Sequence, residues 1–142
     1  MKRIFCFVLV FFSCLFLCVG CRKAEPAQNI SHGLVAGVQV RCHFGQHTLI
    51  RHYRQPQKVD AFLTYLRQLR PMGPVTPPEE SFKKASYEIV VILENGQRRL
   101  HRQCAEQYAA KNQSFWGIID PEIGRQLPLL IFLIPGDEPA EI

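Results

Sequence analysis

From Leu34 the chain alternates between apolar and polar side chains. Val38, Val40, Cys42 and Phe44 are separated by Gln39, Arg41 and His43, the period of a strand with one face buried. Gly45-Gln46 then breaks the pattern with glycine first, the order favoured by a type II′ turn. Folding back about it sets Phe44 against His47, Cys42 against Leu49 and Val38 against Tyr53, with Arg51 in line with the inner face. At Pro56 the period changes to that of a helix. Val59, Phe62, Leu63, Leu66 and Leu69 share one face, and Lys58, Asp60, Thr64, Arg67, Gln68 and Arg70 cover the other. Pro56 suits a first turn, Pro71 closes the helix, and Arg67 and Arg70 complement its negative end.

The segment PMGPVTPPEESFKKA (71–85) is rich in proline and reads as a loop. Alternation returns over Tyr87, Ile89, Val91 and Leu93, followed by Asn95-Gly96, a strong hairpin signal. A two-residue turn there pairs Leu93 with Arg98, Val91 with Leu100, Ile89 with Arg102 and Tyr87 with Cys104. Val90 and Ile92 are apolar on the opposite face, which marks a central strand. Residues 105–116 read as a polar loop. Asp120-Pro121-Glu122 starts a helix, with an acidic cap and proline at the first position. Pro128 predicts a kink or a split, and LPLLIFLI leaves helix and strand both open. The expected fold class is α+β: a four-stranded antiparallel sheet from two hairpins, in the order ββαββα, with helices on one face.

The N-terminal residues lack this periodicity. Lys2-Arg3 precedes an uncharged apolar run, Ile4 to Val19, and Gly20-Cys21 follows. A basic start, an apolar stretch and a small residue before a cleavage point is the plan of a secretory signal. The run is shorter than the roughly 20 residues that span a hydrocarbon core. Were it retained as an anchor, its basic flank would still leave the following residues outside. Leu17-Cys18-Val19-Gly20-Cys21 resembles a bacterial lipobox, in which the cysteine receives diacylglycerol and becomes the new N-terminus. Cys18 stands where that pattern most often has leucine. The organisation expected is a lipoprotein signal peptide over 1–20, a flexible tether over 21–33, a single α+β domain over 34–135 and a polar tail over 136–142.

Removing residues 1–20 takes two basic residues from a chain of net charge +5, leaving +3. That mild excess is far from a nucleic-acid footprint. It also leaves Cys42 and Cys104 as the thiols besides Cys21. Both fall on the inner face in the expected registers, so an exported domain could bridge them; buried free thiols are the alternative. Arg41, His43, His52, Arg99 and His101 fall on outer strand faces, a surface suited to an anionic ligand. The histidines lack a zinc-ligand spacing such as H-E-x-x-H, and no nucleophile motif or cofactor fingerprint is present. Tyr108, Phe115 and Trp116 could line a binding edge or plug the core.

A further set of residues has a familiar spacing: Arg51-x-Tyr53-x-x-Pro56-x-Lys58; Phe62-Leu63-x-Tyr65-Leu66-Arg67-x-Leu69; Tyr87-Glu88-Ile89 before Asn95-Gly96; and Trp116 before Ile119-Asp120. Over most of residues 34–134 the chain resembles small uncharacterised lipoproteins of Gram-positive, gut-type bacteria. The resemblance implies one lipid-anchored domain and transfers no activity. The function expected is a non-enzymatic binding or structural role at the extracytoplasmic face of the cell membrane. The membrane partner is engaged through the lipid on Cys21, and an envelope protein or anionic wall polymer is a further partner. The alternative is a small envelope hydrolase with a histidine-rich or metal-assisted site.

Overall fold

The computed structural model describes residues 34–78, 85–110 and 116–139, so the signal, the tether and Cys21 lie outside the described residues. Among the described residues seven strands occur in chain order: β1 (Val35–Phe44), β2 (His47–Tyr53), β3 (Met72–Val75), β4 (Ser86–Leu93), β5 (Arg98–Cys104), β6 (Gln107–Ala110) and β7 (Trp116–Ile118). Helix α1 (Pro56–Gln68) follows β2; α2 (Pro121–Gly124) and α3 (Gln126–Leu133) follow β7. The strands form one sheet in the order β2-β1-β4-β5-β6-β7-β3, antiparallel throughout.

This corrects the four-stranded ββαββα expectation. The four expected strands do form one contiguous half, β2-β1-β4-β5, and three short strands extend it. Those three arise from MGPV, QYAA and WGI, too short to alternate visibly. Their neighbours supply the order. A two-residue turn, Ala105-Glu106, carries β5 into β6, where Cys104 pairs with Gln107. Strand β7 approaches the β3 segment so closely that a Cβ on Gly117 would lie 2.7 Å from the Cβ of Pro71. Pro74 is tolerated because β3 is a sheet edge.

The first hairpin has the expected register, Val38 opposite Tyr53 and Phe44 opposite His47. Gly45 has φ 59°, and no positive φ occurs at Gln46, as a II′ turn requires. The second hairpin slips by one residue. Ile92 pairs with Arg98, Ile89 with His101, Tyr87 with Gln103 and Ser86 with Cys104. The turn explains the slip. A type I′ turn needs positive φ at both central residues, but here Gly96 is left-handed (φ 82°) and Asn95 is not. The Gly96 N–H donates to the Leu93 carbonyl, and the Leu93 N–H to the Gln97 carbonyl, both at 2.9 Å. Three residues, Glu94-Asn95-Gly96, therefore make the loop, a type I turn closed by a left-handed glycine. One added loop residue turns every β5 side chain to the other face.

Helices α1 and α3 cover the inner face. Helix α1 buries Val59, Phe62, Leu63 and Leu66 as its spacing predicts, and also Tyr65; the Tyr53 and Phe62 rings lie 4.5 Å apart between centroids. The Asp120 carboxylate caps α2 by accepting from the Glu122 N–H at 2.8 Å. The expected split falls at Arg125, which separates α2 from α3. Pro128 is the third residue of α3, where its missing N–H would have had no helical partner. Residues 128–133 are therefore helix rather than strand.

Within the expected polar tail, residues 136–139 are docked against the domain. The Asp137 carboxylate accepts from the backbone N–H groups of Arg54 (2.5 Å) and Gln55 (2.9 Å) and from Lys58 Nζ (2.6 Å). Its own N–H donates to the His52 carbonyl at 2.9 Å. Gln55 is the N-cap of α1 and caps nothing with its side chain, so Asp137 brings the negative charge that this helix start favours. Arg51 donates to the Ile131 carbonyl, Tyr53 Oη to the Ile134 carbonyl and Lys58 Nζ to the Pro135 carbonyl. These donors serve carbonyls at the end of α3 that have no helical partner.

The Lys58 ammonium, with the Arg54 and Gln55 amides, holds the Asp137 carboxyl down at about 2, below its ordinary 3.8. A depressed carboxylate contributes stability above its unfolded pKa and loses it as pH falls through the folded one. Asp137→Asn should therefore lower the thermal midpoint at pH 7, and the gap from the parent protein should close between pH 4 and 2. A gap that stays constant over that range would contradict this role; thermal melts at several pH values decide it.

Candidate functional site

The candidate ligand surface is the outer sheet face, and its layout follows from the registers. Arg41 pairs with Glu88 across β1 and β4, and Glu88 with Arg102 across β4 and β5. One carboxylate thus sits between two arginines in a single cross-strand row. Its oxygens lie 3.5 Å from Arg41 Nη1 and 3.9 Å from Arg102 Nε, and His43 Nε2 approaches to 3.8 Å. His43 is held at its other nitrogen by Thr48 Oγ1 at 3.0 Å. Arg41 Nη2 donates to Gln39 Oε1 at 3.4 Å, and the Gln39 amide nitrogen lies 3.4 Å from His52 Nε2. The ion-pair distances are long and the groups part-exposed, so each pair contributes at most about 1 kcal/mol. Glu88 leaves the cluster net positive, and Arg98, opposite Ile92 on the same face, adds a third guanidinium.

The structure brings Arg41, His43 and His52 to this face as expected. It corrects Arg99 and His101. Both turn inward with the slipped register, opposite Val91 and Ile89, and His101 is 2% exposed. Arg102 and Arg98 take their place outside. The Glu88 and Arg102 pairing was missed because its parity depends on the length of the Gly96 turn. A glycine alone in the left-handed position is the signal that separates a three-residue loop from a two-residue one.

The same slip corrects the disulfide. Cys42 faces the core and Cys104 the other side of the sheet, and both are free thiols. Two strands apart, their backbones are roughly 10 Å from each other, beyond the reach of a disulfide. Burial pushes the Cys42 thiol up to about 11, opposed in part by Arg51, so it stays a protonated, unreactive thiol.

Inside, the reversed strand places a polar cluster in the core. Gln103 is 4% exposed. Its carbonyl oxygen accepts from Tyr65 Oη, and its amide donates to the carbonyls of Gly124 (2.9 Å) and Ala105 (3.2 Å). His101 Nδ1 and Tyr108 Oη share a hydrogen bond of 2.6 Å, and buried His101 Nε2 has no protein partner. Burial, aided by nearby Arg99, lowers the His101 pKa to about 4. The imidazole is therefore neutral near pH 7. Tyr108 is a core residue rather than a binding edge, while Phe115 lies outside the described residues. A cavity of about 310 Å³ opens beside this cluster between Tyr87, Gln103, Gly124 and Pro128. Gln103 already has three partners there, which leaves a largely apolar wall. Ala105, at its edge, has φ 51°, a left-handed strain tolerated at few non-glycine positions.

Among the described residues no three histidine, cysteine or acidic side chains converge in a way that could hold a metal ion. Also among them, no helix is long and apolar enough to cross a membrane. Comparison of the chain with protein-family models, curated proteins and solved structures found no match.

The neutral buried imidazole makes a prediction about acid stability. His101 titrates at about 4 when folded against 6.5 ordinarily, so between these values the unfolded chain binds the extra proton and folding weakens as pH falls. The expected contribution to the slope approaches about 1.4 kcal/mol per pH unit. His101→Phe should flatten that limb, while costing roughly 1–3 kcal/mol at all pH values by leaving Tyr108 Oη unpaired. Urea unfolding from pH 7 to 4 tests it; an unchanged slope in the variant would remove His101 as the cause.

Proposed function

We propose that this chain is a lipid-anchored protein of the bacterial cell envelope with a non-enzymatic role, held at the extracytoplasmic face of the membrane through Cys21. Its outer sheet face binds an anionic partner, an acidic envelope protein or an anionic wall polymer. The observation that supports binding is the Arg41-Glu88-Arg102 row with His43 beside it. A single carboxylate sits among Arg41, Arg102 and His43 and balances only one of the two guanidinium charges. The anchoring rests on the Gly20-Cys21 junction after an apolar run. An anchored domain meets wall polymers at high local concentration, so modest and salt-sensitive affinity suffices. The hydrolase alternative has less support. Among the described residues the histidines are dispersed, with His43 and His52 on the outer face, His47 at the first turn and His101 in the core.

The test uses the full chain in detergent and a poly(glycerol phosphate) wall polymer. Arg41→Gln and Arg102→Gln should each weaken binding about fivefold, the equivalent of about 1 kcal/mol. Glu88→Gln should strengthen it, and raising the salt from 0.05 to about 0.5 M should abolish most of it. Equal binding by all three variants would place the polymer site elsewhere.

A further inference from the structure

Helix α3 has the sequence QLPLLIFL, with no charged residue. Leu127 and Ile131 are buried against the domain. On the other side Leu129, Phe132 and Leu133 are 58%, 82% and 70% exposed. These positions are spaced i, i+3 and i+4, so they share one face. An uncharged helix covered on one side only leaves a contiguous apolar patch exposed, the kind of surface that marks an interaction site. We propose that this face of α3 docks into the interfacial layer of the lipid bilayer, so that the domain lies against the membrane rather than swinging on its tether. The membrane in this proposal comes from the lipid-anchored reading above.

Three observations choose the bilayer as occupant. The first is reach. Cys21 precedes Leu34 by 13 residues, which span at most about 45 Å when extended. Leu34 lies beyond the start of β1, and α3 crosses the inner face where Arg51 meets the Ile131 carbonyl, beside Val40 of β1. That is roughly 20 Å along the strand, well within the tether. The second is size. The three exposed side chains offer on the order of 400 Å², half of the about 800 Å² per partner of a standard protein interface. The third is the leader. Cleavage before Cys21 would remove the Ile4 to Val19 run, and retention would put that run into the bilayer; neither leaves it to cover α3. Eight residues of helix are about 12 Å long, too short to span, so α3 lies in the plane of the interface with Phe132 and Leu133 directed into the acyl region.

The experiment reconstitutes the full chain into phosphatidylglycerol-containing vesicles with a bilayer-resident photoactivated carbene probe, then maps the labelled peptides by mass spectrometry. Labelling of residues 129–133, lost at least fivefold in Phe132→Glu/Leu133→Glu, is the expected result. Both side chains are largely exposed, so that variant keeps its fold, and circular dichroism checks it. An unlabelled α3 beside labelled N-terminal peptides overturns the docking. So does an α3 that is unlabelled and crosslinks to a second copy. The intact mass of the same sample separates the two claims. An acylated chain with unlabelled α3 keeps the anchor and removes the docking. A bare chain with labelled α3 keeps the docking and removes the lipid.

Discussion

The fold depends most on one left-handed glycine. Gly96 closes a three-residue loop between β4 and β5, and the count of residues in that loop fixes which side of β5 enters the core. With three, the alternation RRLHRQC presents Arg99, His101 and Gln103 to the inner face and Leu100, Arg102 and Cys104 to the outer. With two, Leu100 and Cys104 would go in, accompanied by Arg98 and Arg102, and Arg99, His101 and Gln103 would go out. The chain buries His101 and Gln103 where the other register would turn Leu100 and Cys104 inward, so the interior must compensate for their polar atoms.

It does so by hydrogen bonding. An unpaired buried polar group costs about 1–3 kcal/mol, and nearly every polar atom in the cluster is paired. Tyr65 from α1 and Tyr108 from β6 bring their hydroxyls to Gln103 and His101. Gln103 ties the sheet to the β5–β6 turn and to α2 through the carbonyls of Ala105 and Gly124. The polar strand therefore connects three otherwise separate elements around one side chain. A leucine at the same place would bury apolar area and specify none of those contacts. The bulk of the cohesion remains apolar, from Val38, Val40, Ile89 and Val91 of the sheet against Phe62, Leu63, Leu66 and Leu127, each worth about 1.5–3 kcal/mol when fully buried.

Much of this was legible in the residues. The first hairpin followed from alternation and from Gly45, the first helix from the Val59 to Leu66 spacing, and the cap of the second from Asp120-Pro121. Each is a local pattern of sufficient length. The three short strands were not legible, because they are ordered by their neighbours rather than by their own side chains. The docked Asp137 was not legible either, since its partners Arg54, Gln55 and Lys58 lie some 80 residues earlier in the chain. The candidate site was half legible. Arg41, His43 and His52 were placed by the first hairpin, whereas Arg99, His101 and Cys104 inherited the parity of a turn whose length Asn95-Gly96 does not settle by itself.

The reversed strand also ties interior to surface. Because Gln103 and His101 face in, Arg102 faces out beside Glu88 and completes the basic row. The same parity keeps Cys104 away from Cys42 and leaves both as thiols. The most direct test of this account is the β4–β5 register in solution. Cross-strand nuclear Overhauser contacts in the isotopically labelled full chain should join Ile89 to His101 and Val91 to Arg99. Contacts joining Ile89 to Arg102 and Val91 to Leu100 would restore the two-residue turn, return Cys104 to the inner face and dismantle both the buried polar cluster and the outer basic row.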